Sequence, residues 1–187
     1  MCGLVAVFDN DEYDSTDLDR MCSTIAHRGP DSKGIVVLND NKFHNINPNE
    51  KNNIKFKYGF GFNRLSIQDL SYKASQPMIS DDGRYLILFN GEIYNFLEIR
   101  NNLIEKGHKL KSKSDTEVIL KLFQIFGENM LEMINGMFAI VIFDKNNNSF
   151  FVCRDRLGIK PLYYYHDKNR FIVASEIKSI LIHRYTV

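Results

Sequence analysis

The sequence predicts an α+β fold, with antiparallel sheets stacked face to face and helices on the outside in four layers. Three observations carry this. Short β-rich runs recur along the chain, and two pairs of them have hairpin spacing. Helical patterns fall at the start, the middle and the end, with no βαβ alternation and no internal repeat. The 187 residues, 44% apolar and 25% charged, suit one domain spanning 1–187 with a real core.

Residues 3–8 form the first β-rich run, bounded by Asp9-Asn10-Asp11. Ser15-Thr16-Asp17 is expected to cap a helix reaching about Ala26, with Leu18, Met21, Cys22 and Ile25 on one face. Gly29 and Pro30 stop it. Residues 34–38 read as a strand, and the Asn- and Lys-rich stretch 39–53 as an exposed, mobile loop. Residues 58–67 alternate as a strand, whose glycines allow a backbone or ligand to come close. After the turn 81–84, the apolar run 85–89 reads as a buried strand ending at Asn90. Helices are expected at 96–106 and 116–126, the second opened by Ser114-Asp115-Thr116-Glu117. A helical turn at 131–134, hairpins at 137–154 and 162–174, and a short helix at 175–181 complete the chain.

Bulk properties exclude several function classes. Lys plus Arg is 24 against 23 for Asp plus Glu, so no charge excess points to nucleic acid or an anionic membrane surface. No basic-then-apolar leader opens the chain, and no apolar run nears the ~18 residues of a membrane helix. The cytoplasm is the expected location. Three cysteines without CxxC spacing argue against a disulfide framework and a metal site. Cys22 and Cys153 read as core thiols.

Cys2 is different. Once an aminopeptidase removes Met1, it carries a thiol nucleophile and an α-amine of pKa about 7.7–8.0 on one residue. Five further residues fit a site for an amino acid. Arg64 suits a bidentate grip on a carboxylate, or else a surface salt bridge. Asp115 could hold an ammonium, or simply cap its helix. Asn90 beside Gly91 offers a side-chain amide and a backbone N–H to an oxyanion, or forms a plain turn. Glu92 could add an acceptor for the ammonium.

Met1-Cys2-Gly3, His27-Arg28-Gly29-Pro30-Asp31, Arg64-Leu65-Ser66-Ile67, Gln76-Pro77-Met78, Asn90-Gly91-Glu92-Ile93-Tyr94-Asn95, Ser114-Asp115-Thr116-Glu117, Gly136-Met137-Phe138-Ala139 and the long run from Arg154 to Tyr163 occur in that order. Together they resemble the N-terminal glutaminase domain of glutamine-hydrolysing asparagine synthetases, a class II glutamine amidotransferase. The resemblance implies the N-terminal-nucleophile αββα sandwich and hydrolysis of L-glutamine to glutamate and ammonia through a Cys2 thioester. It implies that Arg64 binds the glutamine carboxylate, with Leu65, Ser66, Ile67 and Gln68 lining the pocket. Asn90 and Gly91 would form the oxyanion hole, while Asp115, Gly91 and Glu92 would hold the amine. Residues 39–53 would be a family-variable insertion, and His27 and Arg28 would pack beneath the site wall without a chemical role.

No metal or cofactor is expected in this chain, since ATP and magnesium belong to the family's synthetase domain, whose Gly-rich phosphate loop is not found here. The expected partners are L-glutamine and that synthetase domain, linked or separate, and the resemblance leaves room for a homodimer. Two alternatives stand beside the main reading. One is an amidotransferase subunit for a non-aspartate acceptor such as a polysaccharide sugar; the other is a non-catalytic relative with a binding or assembly role.

Overall fold

The computed structural model describes residues 1–47, 54–67 and 69–183. It contains two compact units: Met1–Leu65 with Pro161–Val187, and Ser66–Lys160.

The first unit holds a six-stranded antiparallel sheet of order β3-β2-β4-β1-β10-β9. Its strands are β1 (Gly3–Asp14), β2 (Ser32–Asn39), β3 (Lys42–Asn45), β4 (Lys55–Arg64), β9 (Tyr163–His166) and β10 (Arg170–Ala174). β1 sits centrally, between β4 and β10. It therefore anchors the chain terminus on both sides, and residues of both parities are buried from Leu4 to Val7.

Helices α1 (Ser15–Thr24) and α4 (Ile177–Leu181) belong to this unit. Leu18, Met21, Cys22 and Ile25 pack with Val5, Val7, Ile35 and Ile172. The fit of α1 depends on glycine: a Cβ on Gly61 would stand 2.1 Å from the Cys22 sulfur. The cap of α1 is Asp14, whose carboxylate accepts from Thr16 N at 2.8 Å, one residue before the expected Ser15-Thr16-Asp17.

At the end of the sheet, fully buried Asp9 meets Arg170 Nε at 3.4 Å and His183 Nε2 at 3.2 Å. Removing the carboxylate takes a buried acceptor from His183 and leaves Arg170 its other partners, Asp11 and Asp167. Asp9→Ala should lower the unfolding free energy by roughly 3 kcal/mol, read from urea denaturation. A change within a few tenths of a kcal/mol would contradict the assignment.

The second unit holds a four-stranded antiparallel sheet, β5-β6-β7-β8. Its strands are β5 (Met78–Ile79), β6 (Tyr85–Ile93), β7 (Gly136–Asp144) and β8 (Ser149–Arg154). Helices α2 (Phe96–Glu105) and α3 (Asp115–Phe126) bury Ile99, Leu103, Val118 and Leu122 with Ile87, Phe89 and Ile140 from the sheet. Ser114 caps α3, accepting from Glu117 N at 3.4 Å, and Glu117 reaches back to Ser112 N at 2.6 Å.

Four expectations need correction. The run at 3–8 continues through a bulge to Asp14, pairing Tyr13 with Phe56. The stretch read as a loop at 39–53 contains β3, paired with β2; residues 48–53 lie outside the described residues. The strand read as ending at Asn90 runs to Ile93, because β7 pairs with it throughout. The expected helical turn at 131–134 lies mainly earlier, as a 3-10 helix at Gly127–Glu132.

Candidate active site

In the first unit the chemistry gathers at the start of β1. Leu65, just past β4, donates its N–H to Cys2 Sγ at 3.3 Å, and its carbonyl receives the thiol at 3.6 Å. One peptide neighbour thus offers the sulfur both a donor and an acceptor. Cys2 is half-buried, whereas burial pushes Cys22 and Cys153 up to about 12. Neither can supply thiolate at neutral pH. Cys2 is left as the candidate nucleophile among the three cysteines.

The terminus is held by side chains as well. Arg28 Nε donates to the Cys2 carbonyl at 3.0 Å, and Leu4 N donates to Ser175 Oγ at 3.0 Å. Arg28 is fixed in turn by Glu176, Nη1 to Oε1 at 3.1 Å. His27 lies 2.9 Å from the same oxygen and Lys178 3.0 Å from the other. Desolvation would raise the Glu176 carboxyl, but the bonds from Lys178, Arg28 and His27 outweigh it and hold it below the usual range. The expectation that Arg28 only packs and bonds beneath a wall therefore understates its place: it grips the residue that carries the thiol. The only sequence signal was the His-Arg-Gly-Pro-Asp run, since Glu176 lies 148 residues away.

Arg64 is the last residue of β4, half-buried, and its carbonyl accepts from Asp31 N at 3.1 Å. Ser66 and Ile67 follow Leu65, Ile67 largely exposed, and Gln68 lies outside the described residues.

In the second unit the site residues line one edge of β6. Ser80 N bonds to Tyr85 O at 2.8 Å and Ile93 N to Asp115 Oδ2 at 3.2 Å, so the odd-numbered residues turn their backbone groups to the β5 edge. Gly91 N–H points the same way. β5 pairs only with Leu86 and Ile87, so that edge carries no strand at Gly91 among the described residues.

Beside it, Asn90 is buried and its Nδ2 has no hydrogen-bond partner among the described residues. A buried donor left unpaired costs about 1–3 kcal/mol and calls for an explanation. Two adjacent donors, one orphaned and one on an uncovered edge, have the chemistry that an oxygen anion requires. Gly91 is required by β7: a Cβ there would meet Met137 O at 2.4 Å.

Asp115 stands one two-residue strand repeat further on, about 6.8 Å along the edge. It is buried, and desolvation raises its carboxyl to about 6, against hydrogen bonds from Ile93, Thr116 and its own N–H, with exposed Glu92 adding repulsion. Ser114, not Asp115, is the helix cap. Asp115 makes no ion pair within its unit among the described residues, and a buried carboxylate of this kind suits a ligand ammonium.

The structure thus brings Cys2, Arg28 and Leu65 together in one unit, with Arg64 next to Leu65 in the chain, and Asn90, Gly91, Glu92 and Asp115 together in the other. Comparison with known proteins gives the arrangement its family. The family model described as a glutamine amidotransferase domain matches residues 1–186. The chain belongs to that family. This glutamine amidotransferase domain is 40% identical to asparagine synthetase 2 (glutamine-hydrolysing) of Bacillus subtilis over 98% of its length, and 38% identical to asparagine synthetase 1 of the same organism over 97%. It covers 22% and 27% of those two proteins, so the domain spans about a quarter of their length.

Among solved structures it matches the glutamine phosphoribosylpyrophosphate amidotransferase of B. subtilis with a TM-score of 0.79 and 22% identity, covering 97% of this chain and 43% of that one. The fold class is the α+β N-terminal-nucleophile type that the motifs implied. The family gives the enzyme class, glutamine amidotransferase. No helix among the described residues is long and apolar enough to cross a membrane.

Proposed function

We propose that this domain releases ammonia from L-glutamine through a thioester on Cys2, for capture by an ATP-dependent synthetase domain of the asparagine synthetase type. The observation that carries the reading is the β6 edge, where the Asn90 and Gly91 donors and the Asp115 acceptor occur in sequence. Arg64 takes the glutamine α-carboxylate, backbone groups of Leu65, Ser66 and Ile67 line the pocket, and Asp115 with Glu92 takes the ammonium.

The Cys2 thiolate attacks the side-chain amide carbon, and the C=O pair moves onto oxygen as an anion that Asn90 Nδ2 and Gly91 N–H stabilise. The Cys2 ammonium protonates the nitrogen, ammonia leaves, and the thioester forms. Water, deprotonated by the freed amine, attacks the thioester and releases glutamate. ATP and magnesium act in the synthetase domain on this reading, and the setting is the cytoplasm, in keeping with three cysteines that form no disulfide among the described residues.

The mechanism requires a free α-amine on Cys2. Protein whose intact mass lacks Met1 should release glutamate and ammonia in equal amounts, and protein with one residue left ahead of Cys2 should release neither. Equal turnover by both would overturn the reading.

Asp115 supplies a second test with opposite signs. Its carboxyl lies at about 6 in the fold against 3.8 as the ordinary value, so the folded state holds the proton more tightly. The stability linked to that proton is complete below pH ~4 and lost as pH rises through about 6, a difference of about 3 kcal/mol. Asp115→Asn keeps an acceptor for Ile93 N–H and removes the buried charge. At pH 8 it should raise the Tm while raising the half-saturating glutamine concentration at least tenfold, because the ammonium loses its partner. Unchanged half-saturation would remove Asp115 from the pocket.

A further inference from the structure

The geometry points to Gln76 as the positioning residue that keeps the Asn90–Gly91 donor pair open and tied to Asp115, a role that rests on the glutaminase reading above. β5 pairs with Leu86 and Ile87 and contributes no strand residue opposite Phe89. There the side chain of Gln76 takes a strand's place. Its Oε1 accepts from Phe89 N at 2.6 Å and its Nε2 donates to Phe89 O at 3.0 Å. A peptide N–H needs an acceptor and a peptide carbonyl a donor, so only this orientation of the amide serves both.

The second Nε2 hydrogen reaches Thr116 Oγ1 at 3.2 Å. One planar amide therefore joins the residue before Asn90 to the residue after Asp115. A second tie, Ile93 N to Asp115 Oδ2 at 3.2 Å, lies on the other side of Gly91. The two ties straddle the donor pair and pin β6 to the start of α3.

The choice of a side chain here has a consequence for the edge. A backbone strand pairing at Phe89 could continue the ladder and cover Gly91 N–H. A side-chain amide satisfies Phe89 and stops, so the next donor on that edge remains exposed to a ligand. Gln76 does not touch the reacting atoms in this arrangement. It acts through Asn90 and Gly91.

The test measures glutamine hydrolysis by the full-length protein for Gln76→Ala in the native background and in an Asn90→Ala background. Displacing the donors should lower kcat about 10²-fold, with KM changed by less than about threefold. In the Asn90→Ala background the same substitution should cost about tenfold or less, because one of the two donors it positions is already gone and only Gly91 N–H remains to be displaced. A merely structural Gln76 would lower Tm without this masking.

Native kcat in Gln76→Ala, or an equal loss in both backgrounds, would overturn the role. Should Gln76→Ala fail to fold by circular dichroism, Gln76→Met keeps the side-chain volume and takes the same readings. If neither folds, Gln76 is a folding residue and the proposal is overturned. A native protein without turnover, or a Cys2→Ala variant with full turnover, would instead strike the glutaminase reading itself.

Discussion

Cys2→Ala should lower glutamine hydrolysis by on the order of 10⁴–10⁶, while the fold unfolds at its usual temperature. The size follows from what one residue supplies, since the thiolate forms the bond that every later step depends on. The other two cysteines cannot substitute, because burial holds both at about 12 and keeps them as thiols. Little structure is at stake. Cys2 lies at the edge of β1, and the pairing of Gly3 with Asn63 and the bond from Leu4 N to Ser175 remain. Retained turnover in Cys2→Ala, measured as glutamate release, would show that sulfur at this position takes no part in the reaction.

Asn90→Ala should lower kcat by about 10²–10³, the cost of one oxyanion donor. Its effect on stability should have the reverse sign from most core truncations. The Asn90 Nδ2 donor is buried with no partner among the described residues, so removing it relieves an unsatisfied group and leaves a small cavity in its place. The two changes roughly offset, and Tm should move by a few degrees at most. KM for glutamine should stay within about threefold, since the donor acts on a charge that develops only in the transition state. A large KM change with native kcat would make Asn90 a ground-state binding residue instead.

Much of this molecule was legible in the sequence, and the exceptions have physical reasons. Strand β6 and helix α3 were readable because an unbroken apolar run and a Ser114–Glu117 cap are local signals. The hairpins of β7 with β8 and β9 with β10 were readable for the same reason. β3 was not: Lys42–Asn45 is polar and lies at a sheet edge, where hydrogen bonding to β2 supplies what composition does not show. The extension of β1 to Asp14 was hidden by acidic residues and by Glu12 at φ 52°.

The candidate site shows the same division. Cys2, Arg64, Asn90, Gly91 and Asp115 could be named from residue chemistry and motif order. The reason Gly91 must be glycine could not, because it lies in the approach of β7. Nor could the work of Arg28 and Gln76, whose partners Glu176 and Phe89 are fixed only by tertiary structure.

The central claim is that an unblocked Cys2 carries the acyl group of glutamine. The most direct measurement treats the active protein with a thiol-directed diazoketone analogue of glutamine and maps the adduct by peptide mass spectrometry. The mechanism predicts one adduct per chain, on the sulfur of a Cys2 that has lost Met1, with turnover lost in proportion. An adduct on Cys22 or Cys153, or full turnover by protein fully labelled at Cys2, would contradict it.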